Sequence, residues 1–255
     1  MPDIPLQIHS LAGKKALSIV RAADYAHAGD TEAIDIVFKK LPRNPETKVL
    51  DIGSGLGATA DYIRRQGWGQ VTGIDSNHAS VAYANEQYRR CNFIHTDVVD
   101  SSLVLKPEYD LLVSFSAFYL FDDQRAALKT LAQVATHESR LAIFDFVDRG
   151  SYAYSPIKEN GKPFLPNPLH LDKIERLLAE SGWRLFTIEP LHPHFADWYG
   201  QLVQKIEANE TAIKEATPEG FYEHILTIYR QLYDAIASNK LGGAIVRAVH
   251  GKAQY

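Results

Sequence analysis

From about residue 47 onward, short β-branched and aliphatic runs alternate with longer stretches of helical periodicity. That alternation predicts a parallel sheet covered by helices on both faces. The strand-like runs are 48–52, 70–74, 92–95, 109–115, 140–146, 184–189 and 244–249. Between the first six lie amphipathic, helix-sized segments such as 58–66, 78–88, 124–135 and 171–181. Right-handed crossovers then give an open, doubly wound α/β sheet of seven strands.

Two segments fall outside the alternation. Residues 1–41 read as a helical cap, with helices at 14–25 and 31–41 broken by His27-Ala28-Gly29-Asp30. Residues 192–240 separate the last two strands. There Trp198, Leu202, Ile206 and Ile213 recur at helical spacing. Thr217-Pro218-Glu219 then reads as an N-cap with a first-turn proline, and Tyr222, Leu226, Tyr229, Tyr233 and Ile236 share one face of a second helix. An insertion of two helices cannot continue the sheet, so it is expected to cover the sheet as a lid. The core is then 42–191 together with 241–255.

Composition narrows the partners. The 255 residues suit one large domain or a core with an appended module. Net charge is −4, so the summed field does not favour nucleic acid or anionic membranes. Cys91 is the only cysteine, which rules out an internal disulfide and a Cys-rich zinc site. No run approaches the 18 apolar residues that suggest a membrane span, and the first twenty residues lack the features of a signal peptide. A cytoplasmic protein without a bound metal is expected, its oligomeric state open.

The strongest local signal is Val49-Leu50-Asp51-Ile52-Gly53-Ser54-Gly55-Leu56-Gly57-Ala58, a buried strand that breaks into a glycine turn and opens a helix. Glycine lets a ligand approach the backbone, and a helix N-terminus offers N–H groups to a carboxylate or phosphate. Alone, the loop also satisfies a dinucleotide fingerprint. Three acids shift the balance. Asp75 ends the second strand, where a carboxylate can accept two ribose hydroxyls. Asp97 follows the third, placed for an adenine amino group. Asp51 stands inside the loop, at a position usually apolar in nicotinamide-binding loops. All three fall at strand carboxyl ends, where open α/β sheets bind ligands.

With these residues in place, the sequence resembles a class I S-adenosylmethionine-dependent methyltransferase. The likeness rests on Asp51-x-Gly53-x-Gly55-x-Gly57, Asp75, Asp97-Val98 and the fourth strand Tyr109-Asp110-Leu111-Leu112-Val113-Ser114. It implies a Rossmann-like sheet whose last strand returns antiparallel beside the sixth, with Gly242-Gly243 serving the tight return. It also implies S-adenosylmethionine as cofactor. Gly53, Ser54 and Gly55 would cradle the methionine part, and Asp75 would hold the ribose. Ser76 and Asn77 would flank the adenine, Asp97 and Val98 would read its edge, and Ser114 would complete the cofactor site.

Methyl transfer is an in-line displacement in which positioning can supply about 7 to 11 kcal/mol of the barrier, so acids and bases are optional. The insertion, from Phe195-Ala196-Asp197-Trp198 through Leu202, Lys205-Ile206-Glu207 and Phe221-Tyr222 to Leu241-Gly242-Gly243-Ala244, and the segment Tyr25-Ala26-His27-Ala28-Gly29-Asp30 resemble small-molecule N-methyltransferases of the phosphoethanolamine and sarcosine/dimethylglycine types. That resemblance implies a small amine or carboxylate-bearing acceptor, positioned by Tyr25, Tyr119 and Trp198. Tyr199, Tyr222 and Tyr229 could join an aromatic cage around a methylated amine. Ser114-Phe115-Ser116-Ala117-Phe118-Tyr119-Leu120-Phe121 lacks the acid and histidine that phosphoethanolamine methyltransferases carry there, so their base is not transferable. His192 and His194 read as a surface pair, with a proton-taking or weak metal role as the alternative. The competing classes are an NAD-dependent oxidoreductase and a noncatalytic binding protein for the same cofactor.

Overall fold

The computed structural model describes residues 7–251. Its main sheet contains β1 (Lys48–Ile52), β2 (Gln70–Asp75), β3 (Asn92–His95), β4 (Tyr109–Phe115), β5 (Ala135–Asp148), β8 (Trp183–Pro190) and β9 (Leu241–His250). A separate hairpin joins β6 (Lys158–Glu159) to β7 (Lys162–Pro163). The seven-stranded order is β3-β2-β1-β4-β5-β9-β8. β1 to β5 run parallel, and β9 enters antiparallel between β5 and β8. The expected doubly wound sheet with a reversed last strand is therefore present.

The apolar runs explain why the sheet has two covered faces. Along β1, Val49 packs into one core and Leu50 and Ile52 into the other; along β4, Leu111 and Val113 face opposite to Leu112. Parallel strands buried on both faces need near-continuous apolar sequence, which these runs supply. One face carries α3 (Ala58–Arg65), α4 (His78–Gln87), the N-terminal helices and the long insertion. The other carries α5 (Gln124–Val134) and α6 (Ile174–Ala179). Each fully buried aliphatic or aromatic side chain contributes about 1.5–3 kcal/mol.

The added helices depart from expectation in their limits. α1 (Leu11–Ser18) starts earlier and ends earlier than predicted, because Ser10 accepts the Gly13 N–H and caps it. α2 is Asp30–Phe38. The 192–240 segment holds three helices rather than two: α7 (His192–Ala208), α8 (Glu210–Ala216) and α9 (Phe221–Ala237). Thr217 does not cap α9. Its hydroxyl donates to the Ile213 carbonyl and closes α8, so α9 begins only at Phe221.

Gly242 and Gly243 lie inside β9 rather than in a tight return. A Cβ at Gly242 would stand 2.2 Å from the His192 ring, and one at Gly243 would stand 2.0 Å from the Phe195 ring. These glycines let α7 settle against the sheet. The turn itself is made by 238–240.

Candidate functional site

The carboxyl ends of β1 to β5 open into a cavity of about 440 Å³. The ends of β1 and β2 supply Gly53, Gly55, Asp75, Ser76 and Asn77; the segment after β3 supplies Thr96, Asp97, Val98 and Val99. The lining also carries the aromatic residues Tyr25, Tyr119, Phe146, Phe164, Tyr199 and Tyr229. Polar and aromatic residues thus share one space, at a volume within the ordinary range for ligand pockets.

The glycine loop bends tightly because Gly53 and Gly55 take φ of 73° and 56°. A Cβ at Gly53 would lie 2.3 Å from the Ala117 Cβ, whereas one at Gly55 would meet nothing closer than Ala26 at 3.8 Å and Lys14 at 3.9 Å. Gly53 is therefore closed against the protein, and Gly55 faces open space. The expected reserve of free loop N–H groups is largely spent internally. Gly53 and Ser54 both donate to the Ile74 carbonyl, and Gly55 donates to Asp75 Oδ2 at 2.8 Å.

Asp75 also accepts the Asn77 N–H through Oδ1 at 2.8 Å and lies 3.9 Å from the Lys14 ammonium. Its carboxylate is held at the cavity edge by two backbone donors, and ionised carboxylates retain further acceptor sites. Asn77 caps α4 by accepting the Ser80 N–H. Asp97 caps a short 3₁₀ turn, Val98–Leu103, through the Val99 N–H. Both acids therefore stand at the mouth of the cavity on fixed backbones.

Asp51 is buried beneath the loop and leaves Oδ2 without a hydrogen-bond partner. Burial, reinforced by the charge of Asp75, pushes its carboxyl up to about 7. Ser54 and Ser114 are not among the residues that line the cavity. Ser54 turns its side chain toward Gly73, Ser114 is buried in β4, and both hydroxyls are buried without a hydrogen-bond partner.

Among the aromatic lining residues, Tyr25 is buried, and desolvation pushes its hydroxyl up to about 12. The Tyr119 hydroxyl lies 3.2 Å from His9 Nε2, while its backbone N–H donates to Asp145. His9 stacks on Phe164, and burial lowers its imidazole to about 4, so it is neutral near pH 7. Tyr199 and Tyr229 stack with ring centroids 6.3 Å apart.

Trp198 is placed elsewhere. Its indole N–H donates to Glu32 at 2.9 Å and its ring fills the space beside Gly29, so it fastens α7 to α2 instead of lining the cavity. Tyr222 does not line it either. His192 and His194 join no assembled metal-ligating group; none with three or more His, Cys, Asp or Glu occurs among the described residues.

Three residues of the N-terminal segment have no counterpart in the sequence expectations: His9 and Lys14, which line the cavity, and Arg21, which does not line it but lies beside its tyrosines Tyr199 and Tyr229. His9 and Lys14 reach the cavity only because α1 folds over the strand ends. Arg21 had a readable signal, being the lone charge in Ala16-Leu17-Ser18-Ile19-Val20-Arg21-Ala22-Ala23.

Residues 50–143 match a family described as a methyltransferase domain. An O-methyltransferase of Pyrenophora dematioidea is 28% identical over 177 residues, which cover 66% of this chain and 66% of that protein. The glycine/sarcosine/dimethylglycine N-methyltransferase of Actinopolyspora halophila is 23% identical over 220 residues, covering 82% of this chain and 38% of its own length. The solved phosphoethanolamine N-methyltransferase 2 of Haemonchus contortus, in complex with phosphomonomethylethanolamine and S-adenosylhomocysteine, has a TM-score of 0.81. Its identity is 16%, with 94% of this chain and 58% of that one covered. The chain thus spans 38% to 66% of the length of these three proteins. Among the described residues, no helix is long and apolar enough to cross a membrane.

Proposed function

We propose, from this chain's place among the class I S-adenosylmethionine-dependent methyltransferases, that it transfers a methyl group from S-adenosylmethionine to a small metabolite bearing an amine or a carboxylate. The observation that carries this reading is one continuous cavity with two chemistries. Gly55, Asp75, Asp97 and Val98 line it together with the aromatic residues Tyr25, Tyr119, Phe146, Phe164, Tyr199 and Tyr229.

The residues fit the cofactor. Gly55 leaves open space where any side chain would intrude, and Asp75 presents a carboxylate to that space. Asp75 would hold the ribose hydroxyls, Ser76 and Asn77 would border the base, and Asp97 with Val98 would meet its edge. When bound, S-adenosylmethionine supplies a methyl carbon on a sulfonium, which an acceptor lone pair takes in line as the carbon–sulfur bond breaks. The protein's part is to align that lone pair and exclude water. Tyr25 and Tyr119 are the positioning candidates, and aromatic faces also suit a cationic amine. Helices α7 to α9 act as the lid that encloses the acceptor.

Relatives include both O- and N-methyltransferases, so a heteroatom acceptor is the common ground. The negative net charge fits a metabolite better than a nucleic acid. A single, unpaired cysteine fits a cytoplasmic setting. The test is incubation with methyl-labelled cofactor and a small-molecule cell extract. At least one labelled metabolite is expected; cofactor binding with no labelled product would leave a noncatalytic binding protein instead.

A further inference from the structure

Arg21 lies in the loop between α1 and α2, between the cavity-lining residues Leu17 and Tyr25. Its side chain is only 3% exposed. One nitrogen is fully engaged: Nη1 donates to the His27 carbonyl and to Asp30 Oδ1. The other two, Nε and Nη2, are buried without a hydrogen-bond partner. Those two atoms form one edge of the planar guanidinium, the edge whose parallel N–H groups match an oxyanion bidentately. Leaving such donors buried and unsatisfied is costly, and more so for a charged group.

The guanidinium charge acts on the hydroxyls of Tyr199 and Tyr229, and the Tyr229 hydroxyl sits directly against it. Both tyrosines line the cavity. Resting on the methyltransferase reading above, the geometry points to an acceptor that carries a carboxylate, bound by the Nε–Nη2 edge of Arg21 with the hydroxyls of Tyr199 and Tyr229 beside it. The nucleophilic atom then lies at the other end of the acceptor, toward the glycine loop. Asp30 already shares the guanidinium charge, so the site suits a monoanion better than a dianionic phosphate. Arg21 is thus a specificity-determining residue: an acceptor without the anion would leave its edge unpaired.

The test uses acetate as a probe of the anion site, with the full chain saturated in S-adenosylhomocysteine and acetate methyl line broadening read by NMR. Wild type should broaden acetate saturably, acetamide should show nothing, and inorganic phosphate should compete more weakly than acetate does. Arg21→Lys, which keeps the charge but loses the fork, should weaken acetate about tenfold or more; Tyr229→Phe should weaken it about threefold or more. Calorimetric affinity for S-adenosylhomocysteine should match wild type in both variants. No acetate binding to the loaded wild type, equal acetate binding in Tyr229→Phe, or tighter binding of phosphate would overturn the assignment. Should Arg21→Lys fail to fold, the Tyr229→Phe comparison decides alone. Failure of wild type to bind S-adenosylhomocysteine would count against the methyltransferase reading instead.

Discussion

The Gly55 N–H donates to Asp75 Oδ2 at 2.8 Å, so the turn after β1 and the acid ending β2 are one hydrogen-bonded unit. This pairing explains why the loop holds two left-handed glycines in a row of three residues, and it separates their roles. At Gly53 a Cβ would collide with Ala117 in addition to bearing the same left-handed strain as Gly55, so Gly53→Ala should lower unfolding free energy by about 1–3 kcal/mol more than Gly55→Ala does, read by urea denaturation. At Gly55 the space is open, so Gly55→Ala should cost about 1–2 kcal/mol of backbone strain. It should nonetheless impair S-adenosylhomocysteine binding more than Gly53→Ala impairs it per unit of stability lost. Equal stability losses at the two sites would contradict this division.

Buried Asp51 predicts a pH effect of definite sign. Its folded pKa, about 7, lies above the unfolded value of 3.8, so between those limits the folded chain holds a proton that the unfolded chain has released. Stability therefore falls as pH rises through that window, the loss being complete above about 7. Asp145, raised to about 7 by burial against the opposing pull of its backbone hydrogen bonds, adds to the same slope. Urea unfolding at pH 5 and pH 8 should show a smaller loss for Asp51→Asn than for wild type. Identical losses would place the Asp51 charge elsewhere.

The strands were legible because their side chains are sorted by the sheet itself. β1, β3 and β4 occupy the residues expected from apolar runs alone, since a strand buried on both faces tolerates little else. Asp75, Asp97 and the glycines were legible for a related reason: strand ends are fixed by those runs, and the ligand crevice is fixed by strand ends. Tertiary partners decided the rest. Gly242 and Gly243 read as a turn until the rings of His192 and Phe195 are seen against them. Trp198 read as a site aromatic, but Glu32, far away in sequence, takes its indole N–H.

Trp198 should therefore matter to stability and not to cofactor affinity. Trp198→Phe removes the hydrogen bond to Glu32 and should lower stability by about 1–2 kcal/mol, with the affinity for S-adenosylhomocysteine unchanged. Thermal unfolding and calorimetry check the two halves. A large drop in affinity without a drop in stability would return Trp198 to the site.

The Tyr119 hydroxyl and His9 Nε2 form a partly buried pair that ties the N-terminal segment to the turn after β4. Tyr119→Phe leaves the His9 Nε2 without its partner and should cost about 1–3 kcal/mol of unfolding free energy. The N-terminal segment carrying His9 should then exchange its amide hydrogens faster, measured by mass spectrometry. Unchanged exchange there would show that the pair does not hold this segment over the cavity.

The most direct measurement is isothermal titration of S-adenosylhomocysteine into wild type and Asp75→Ala, with NADH titrated in parallel. Binding at one site per chain to wild type is expected, weakened by a factor of about ten or more in Asp75→Ala, because charge-assisted hydrogen bonds are worth about 1.5–3 kcal/mol. NADH should give no binding heat. Heat with NADH and none with S-adenosylhomocysteine, or equal affinities with and without the Asp75 carboxylate, would contradict the assignment of this crevice to a sulfonium nucleoside.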